Sequence, residues 1–195
     1  MTLHTVNFNH QTHSIPENMI GVVTRAVSPI MNLNYDEFTS EELAQACTTF
    51  LNKPVFVDHT YLYTDKSDIT LANSQGMDLN RSRGHVEDAM IDDTGTIQLL
   101  IYVDRDYTLL CDLLTSGAIN AVSMGCDCIT TCNICDMIVD EENPCAHYPA
   151  LLGTQSWDGS IVHDVLPHIQ FTEISFVVDA SDDISGIKHF KVFNC

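Results

Sequence analysis

Residues 117–135 read GAINAVSMGCDCITTCNIC. Gly117 ends one element, the apolar run around Ser123 forms the next, and four of the chain's eight cysteines follow within ten positions. The segment AINAVSMGCD reads as a β-strand. Just upstream, residues 105–116 (RDYTLLCDLLTS) predict a helix striped by Leu109, Leu110, Leu113 and Leu114, with Gly117 as its natural terminator. Downstream, residues 129–168 lose all periodicity and contain three prolines. This marks a cysteine-rich insertion at about 126–168 in an otherwise β-rich chain. The strand pattern resumes at IQFTEISFVVDA, alternating around Phe171, and the chain ends in a short β-prone piece, KHFKVFNC.

Towards the N-terminus, FTSEELAQACTTFLN predicts a second helix. Thr39 and Glu42 fit a capping box, and Leu43, Ala46, Cys47, Phe50 and Leu51 form one apolar stripe. Pro54 stops the helix because it lacks the N–H that the ladder needs. PVFVDHT then reads as a strand ending at His59, with Val55 and Val57 on one face and Phe56 and Asp58 on the other. Residues 60–82 predict an exposed loop. GHVEDAMIDDTGTIQLLIYVD predicts two strands joined at Asp93-Thr94-Gly95. A further β-prone run lies at 18–28, and residues 1–17 predict an arm or a loose first strand. The sum is a β-rich α+β domain over 18–195, flanked by helices and interrupted by the insertion.

Apolar residues make up 45% of the chain, enough for a core, so disorder is excluded. No apolar run reaches the ~20 residues that span a bilayer. MTLHTVNFNHQTH has neither the basic start nor the apolar centre of a secretory signal. With 27 acidic residues against 8 basic, the formal charge of −19 repels phosphate backbones and argues against direct nucleic-acid binding. Without an export signal, the cysteines argue against a disulfide framework. Cys47 and Cys111 fall on apolar helical positions as plain core residues, and Cys195 is isolated.

Cys132-x-x-Cys135, followed by Cys145 and His147, has the knuckle spacing of a tetrahedral zinc site. Cys126, Cys128 and His147 compete for the fourth place. The favoured set is Cys126, Cys132, Cys135 and Cys145, with His147 next in line. Cys126 and Cys128 share a strand face about 7 Å apart, too far to grip one ion without a bend. Four protein ligands leave no open position, so the metal would be structural. It would fold a segment too polar to fold alone.

Ser123 draws attention through its setting: an apolar strand after a helix, then Met124 and Gly125. Glycine there lets backbone amides approach a reacting carbonyl, as an oxyanion requires. Strand alternation puts Ser123 on the face opposite Cys126 and Cys128. A serine nucleophile needs a base. Among nine histidines, His59 and His85 stand at strand edges; His4, His10, His13, His163, His168 and His189 read as surface residues.

The order NKPVFVDH, then GHVEDAMID…GTIQLLIYVD, then LLTSGAINAVSMGC, then FTEISFVVDASDD resembles the capsid maturation (prohead) proteases of tailed phages, distant relatives of the herpesvirus assemblins. The resemblance covers roughly residues 20–184. Some members also carry a Cys-x-x-Cys…Cys-x-His insert like CNICDMIVDEENPCAH. It implies a herpesvirus-protease-like β-barrel with flanking helices and a zinc-binding insertion. It implies a serine endopeptidase with Ser123 as nucleophile, His59 as base and Glu173 as third member, His85 being the rival. VVDASDD lacks the proline usual in the late phrase. The implied substrates are phage scaffold and major capsid proteins, with self-cleavage, inside the prohead in the host cytoplasm. Oligomeric state is left open, a homo-oligomer included.

Two other readings stand beside this one. His85-Val86-Glu87 with Pro144-Cys145 matches part of a zinc deaminase signature, although position 148 is Tyr rather than Cys. A non-catalytic capsid or scaffold component of the same fold is the other.

Overall fold

The computed structural model describes residues 4–59, 77, 79–178, 180 and 190–193. Most of the expected 60–82 loop lies outside these residues, as do His189 and Cys195. The elements run β1 (Thr5–Phe8), β2 (Gln11–Ser14), β3 (Met19–Val27), β4 (Asp36–Glu37), α1 (Ser40–Ala46), β5 (Pro54–Val57), β6 (Gly84–Ile91) and β7 (Ile97–Asp104). They continue with α2 (Thr108–Ser116), β8 (Ala121–Asp127), β9 (Thr131–Cys132), β10 (Asp164–Val165), β11 (Gln170–Val177) and β12 (Lys191–Phe193). Short 3₁₀ turns cover Cys47–Phe50 and Leu79–Arg81.

Seven strands form the main sheet in the order β12-β3-β7-β6-β5-β11-β8. Within this sheet, among the described residues, only β5 and β11 pair in parallel, so their C-terminal ends leave the sheet on the same side. The sheet curls until β3 approaches β8 from its far side, giving a β-rich half-barrel with few helices. Inside the curl, Ile20, Val22, Val55, Leu99, Ile101, Ile174 and Phe176 pack against Leu43 and Phe50 from α1 and its 3₁₀ extension. Phe50 and Phe171 stack with ring centroids 3.8 Å apart and planes 12° apart. The Phe171 N–H donates to Thr49 Oγ1 at 3.0 Å and fixes that stack.

Local signals are met at α1. Thr39 caps it, its hydroxyl accepting from the Glu42 N–H at 3.2 Å. The Glu42 carboxylate accepts instead from the His168 N–H at 2.8 Å, so it ties the helix to the chain entering β11. Leu43, Ala46, Cys47 and Phe50 are buried as the stripe requires; Leu51 is exposed beyond the end of the helix.

Two expectations need correction. Residues 5–14 are neither an arm nor a loose strand but a hairpin, turning at Asn9 and His10, both with positive φ. Val6, Phe8 and Ile15 cover Leu100 and Tyr102 on the outer face of β7. That cover explains why LLIYV (99–103) is a continuous apolar run: β7 is buried on both faces there. β11, expected to alternate, is likewise buried from Phe171 to Val177: Phe171, Ile174 and Phe176 enter the core, and His59 lies over Glu173 on the opposite face.

The insertion closes on the loop before α1 through a small sheet, β4-β10-β9. His163, expected at the surface, is half-buried there; its Nε2 meets Glu37 Oε2 at 2.7 Å and its Nδ1 meets the Ile161 carbonyl at 2.9 Å. Among the described residues, no helix is long and apolar enough to cross a membrane.

Candidate functional site

Three adjacent strands, β5, β11 and β8, build the site. Ser175 of β11 stands directly opposite Ser123 of β8, and Glu173 opposite Gly125. Paired residues share a face, so Ser123, Gly125, Glu173 and Ser175 point to the side away from Ile174, Met124 and the main core. Cys126 packs towards the core side, as strand alternation predicts.

The chain leaves β5 by a sharp turn. The Asp58 N–H donates to the Phe176 carbonyl at 3.0 Å. Asp58 and His59 then both adopt φ of 51°, a left-handed conformation rare in side-chain-bearing residues. Two such residues in a row cost on the order of 1–2 kcal/mol each, a strain of the kind that gathers at functional sites. The turn directs the imidazole back across β11. His59 Nδ1 lies 3.1 Å from Glu173 Oε1. Glu173 has 0% exposure, and its other carboxylate oxygen accepts from Ser175 Oγ at 2.7 Å. The carboxylate thus sits buried between a hydroxyl and an imidazole. The hydrogen bond to Glu173 raises the His59 pKa above its ordinary 6.5; burial opposes this, and the charges of Glu173 and Asp58 add to it.

His59 and Ser123 line one cleft of about 790 Å³, together with Leu33, Asn34, Ile119 and Val177. The Asn32 side chain shapes the wall of that cleft by accepting from the N–H groups of Asn34 and Asp36 at 2.8 and 3.0 Å. Ser123 also borders a smaller cavity of about 90 Å³ under the same loop, lined by Ser28, Asn32 and Phe38. The fold therefore brings the three triad candidates, Ser123, His59 and Glu173, to one place. His85, the rival, lies on β6, with Nε2 3.4 Å from Glu87 Oε2 and its ring edge against Tyr102. Sequence reasoning missed Ser175, and its position in EIS, two residues after Glu173, was the available signal.

A second cluster lies in the insertion. Cys132 Sγ, Cys135 Sγ, Cys145 Sγ and a ring nitrogen of His147 all fall within 4.8 Å of one another, a set that can hold a metal ion. His147 Nδ1 is 3.8 Å from Cys132 Sγ and 3.9 Å from Cys145 Sγ. The N–H groups of His147 and Tyr148 point at Cys145 Sγ at 3.4 and 3.3 Å. Burial raises the Cys145 thiol, but those two amides and the neighbouring thiols outweigh it and bring the pKa to about 6. Thiolate is the form that binds metal.

The favoured fourth ligand, Cys126, stands outside this cluster, and His147 takes its place. Cys126 is held on β8 opposite Phe171, and its thiol meets Cys128 instead. β8 ends at Asp127, so the chain bends and brings those two sulfurs together despite the strand spacing. That contact pushes the Cys126 thiol up and the Cys128 thiol down. His85 takes no part in the Cys/His cluster, so the His85-Val86-Glu87 signature and Cys145 do not form one deaminase centre.

Comparison with protein families, with curated proteins and with solved structures returned no match.

Proposed function

We propose that this chain is a serine endopeptidase of the prohead-protease type, with a herpesvirus-protease-like half-barrel, acting on scaffold and major capsid proteins inside an assembling phage head. The observation that carries the reading is the buried Glu173 carboxylate 3.1 Å from His59 Nδ1, in a cleft that Ser123 also lines. A carboxylate that accepts from Nδ1–H sets the tautomer in which Nε2 carries the lone pair that can take a proton.

In this reading His59 Nε2 accepts the Ser123 proton as Oγ attacks a peptide carbonyl. Glu173 holds the ring in the required tautomer and stabilises the imidazolium. β8 is an edge strand of the sheet, so alternate N–H groups face away from β11 and are suited to an oxyanion. The imidazolium then protonates the leaving amine, and water releases the acyl group by the reverse sequence.

We further propose that the Cys132, Cys135, Cys145 and His147 set holds zinc. Three thiols and one imidazole in tetrahedral reach fit that ion's preference, and amides aimed at the sulfur of Cys145 stabilise its charged form. Bound there, the ion would supply cross-linking of the insertion rather than chemistry, because four protein ligands leave no place for substrate.

The test is labelling with a small fluorophosphonate, with the adduct located by peptide mass mapping. Modification confined to Ser123, and lost in His59→Ala, supports the reading. Absence of label on folded protein, together with unchanged self-cleavage in Ser123→Ala, removes it.

A further inference from the structure

The apolar stripe of α2 is wider than the face it buries. Leu110 and Leu114 enter the core, yet Leu109 is 72% exposed and Leu113 only half-buried. Leu113 packs against the core from its edge, so Leu109 alone of the four leucines is left out of it. Leu109, Leu110 and Leu113, with Tyr107, line a mostly apolar groove of about 380 Å³. Its floor includes Val57 and Ile119. Both residues also line the cleft of His59 and Ser123, so the groove adjoins the cleft across a shared wall. Val57 ends β5, two residues before His59. At the rim the Arg83 guanidinium stacks 4.3 Å above the Tyr107 ring, holding that wall upright, and Asp106 lies beside it.

We propose that this groove is a specificity subsite taking a bulky aliphatic or aromatic side chain of an extended peptide whose scissile bond lies at Ser123. The inference rests on the peptidase reading above and adds the substrate class. Three features carry it: the wall of Val57 and Ile119 shared with the cleft, a lining mostly of apolar side chains with Arg83 and Asp106 as its charged members, and a volume in the range of ligand pockets. An extended chain advances about 3.3 Å per residue, so the subsite is reached within a few residues of the reacting carbonyl.

Binding is read on Ser123→Ala, which cannot turn substrate over. Fluorescein-labelled dodecapeptides carry a single leucine walked through a background of alanine, serine and lysine, and affinity is followed by anisotropy. Leucine at one or two adjacent positions is expected to tighten binding about tenfold or more over alanine, the scale set by filling an apolar pocket. Adding Leu109→Asp, at an exposed position that the core does not use, is expected to erase that gain. Equal affinity across the walk overturns the proposal, and so does a gain that survives Leu109→Asp. If Leu109→Asp instead splits a dimer in sedimentation and leaves peptide affinity unchanged, the groove is an interface between copies and the proposal fails. Fluorophosphonate labelling of wild-type Ser123, run in parallel, judges the peptidase reading by itself. A labelled serine with a flat leucine walk sinks only the subsite, whereas an unlabelled serine with a sharp walk sinks only the chemistry.

Discussion

The Glu173 carboxylate lies where Gly125 would carry its side chain. A Cβ placed on Gly125 would come 2.9 Å from Glu173 Oε1 and 3.1 Å from both Glu173 Cγ and Thr172 Oγ1. Gly125 therefore gives passage to the acid that reaches His59, a role different from the oxyanion role its neighbourhood suggests in sequence. Gly125→Ala is expected to displace Glu173 and to cost about 1–3 kcal/mol from overpacking. The check is a urea titration beside peptidase activity. An alanine variant with wild-type activity and midpoint would show that the carboxylate does not need that space.

The pH profile follows from His59. Its pKa is raised above 6.5, first by the Glu173 hydrogen bond. A general base works unprotonated, so the acidic limb of kcat/KM should fall above 6.5. The stability contribution runs the other way. A raised histidine pKa stabilises fully below the unfolded value and is lost as pH rises through the folded one. At 36% side-chain exposure that contribution is small because water screens it. Glu173→Gln should move the acidic limb down and reduce the rate ~10³–10⁴-fold by favouring the wrong tautomer. An unmoved limb would separate the titration from His59.

Removing Ser175 isolates the far side of the acid. Ser175→Ala leaves Glu173 Oε2 without its donor at a fully buried position. The expected cost is about 1–3 kcal/mol of stability, with activity reduced less than by Glu173→Gln. Thermal melts and kcat/KM of the two variants side by side decide the order.

Metal content separates the insertion from the half-barrel. Elemental analysis of protein purified without chelator should give about one equivalent of zinc, as one four-ligand site requires. Chelation, or Cys132→Ser at a fully buried ligand, should expose amides across β9 and β10 to hydrogen exchange. β3, β6 and β7 should keep their protection. Cys126→Ser should retain the metal, whereas His147→Ala should weaken it; the reverse pattern would restore Cys126 as a ligand.

The aromatic stack tests the core. Phe171→Ala removes a fully buried ring stacked on Phe50 and should cost about 3–5 kcal/mol, read as a lowered denaturation midpoint.

What the sequence by itself determined was local. Periodicity placed α1, α2, the β6–β7 hairpin and β8, since the repeat of apolar residues depends only on which face meets a core. Spacing picked out Cys132, Cys135 and Cys145, because ligands close in sequence have few ways to converge, but it favoured Cys126 over His147 for the fourth place. Tertiary structure decided the rest. It chose His147 over Cys126, because pairing with β11 and contact with Cys128 hold Cys126 on β8. It covered the outer face of β7 with the N-terminal hairpin and set His59 over the buried Glu173 of β11. It brought His59 to Glu173 across 114 residues through one parallel pairing and a left-handed turn at Asp58 and His59. Local pattern fixes the direction of a side chain relative to its own strand. Which strands lie side by side depends on register and chain crossing, which no short window of residues contains.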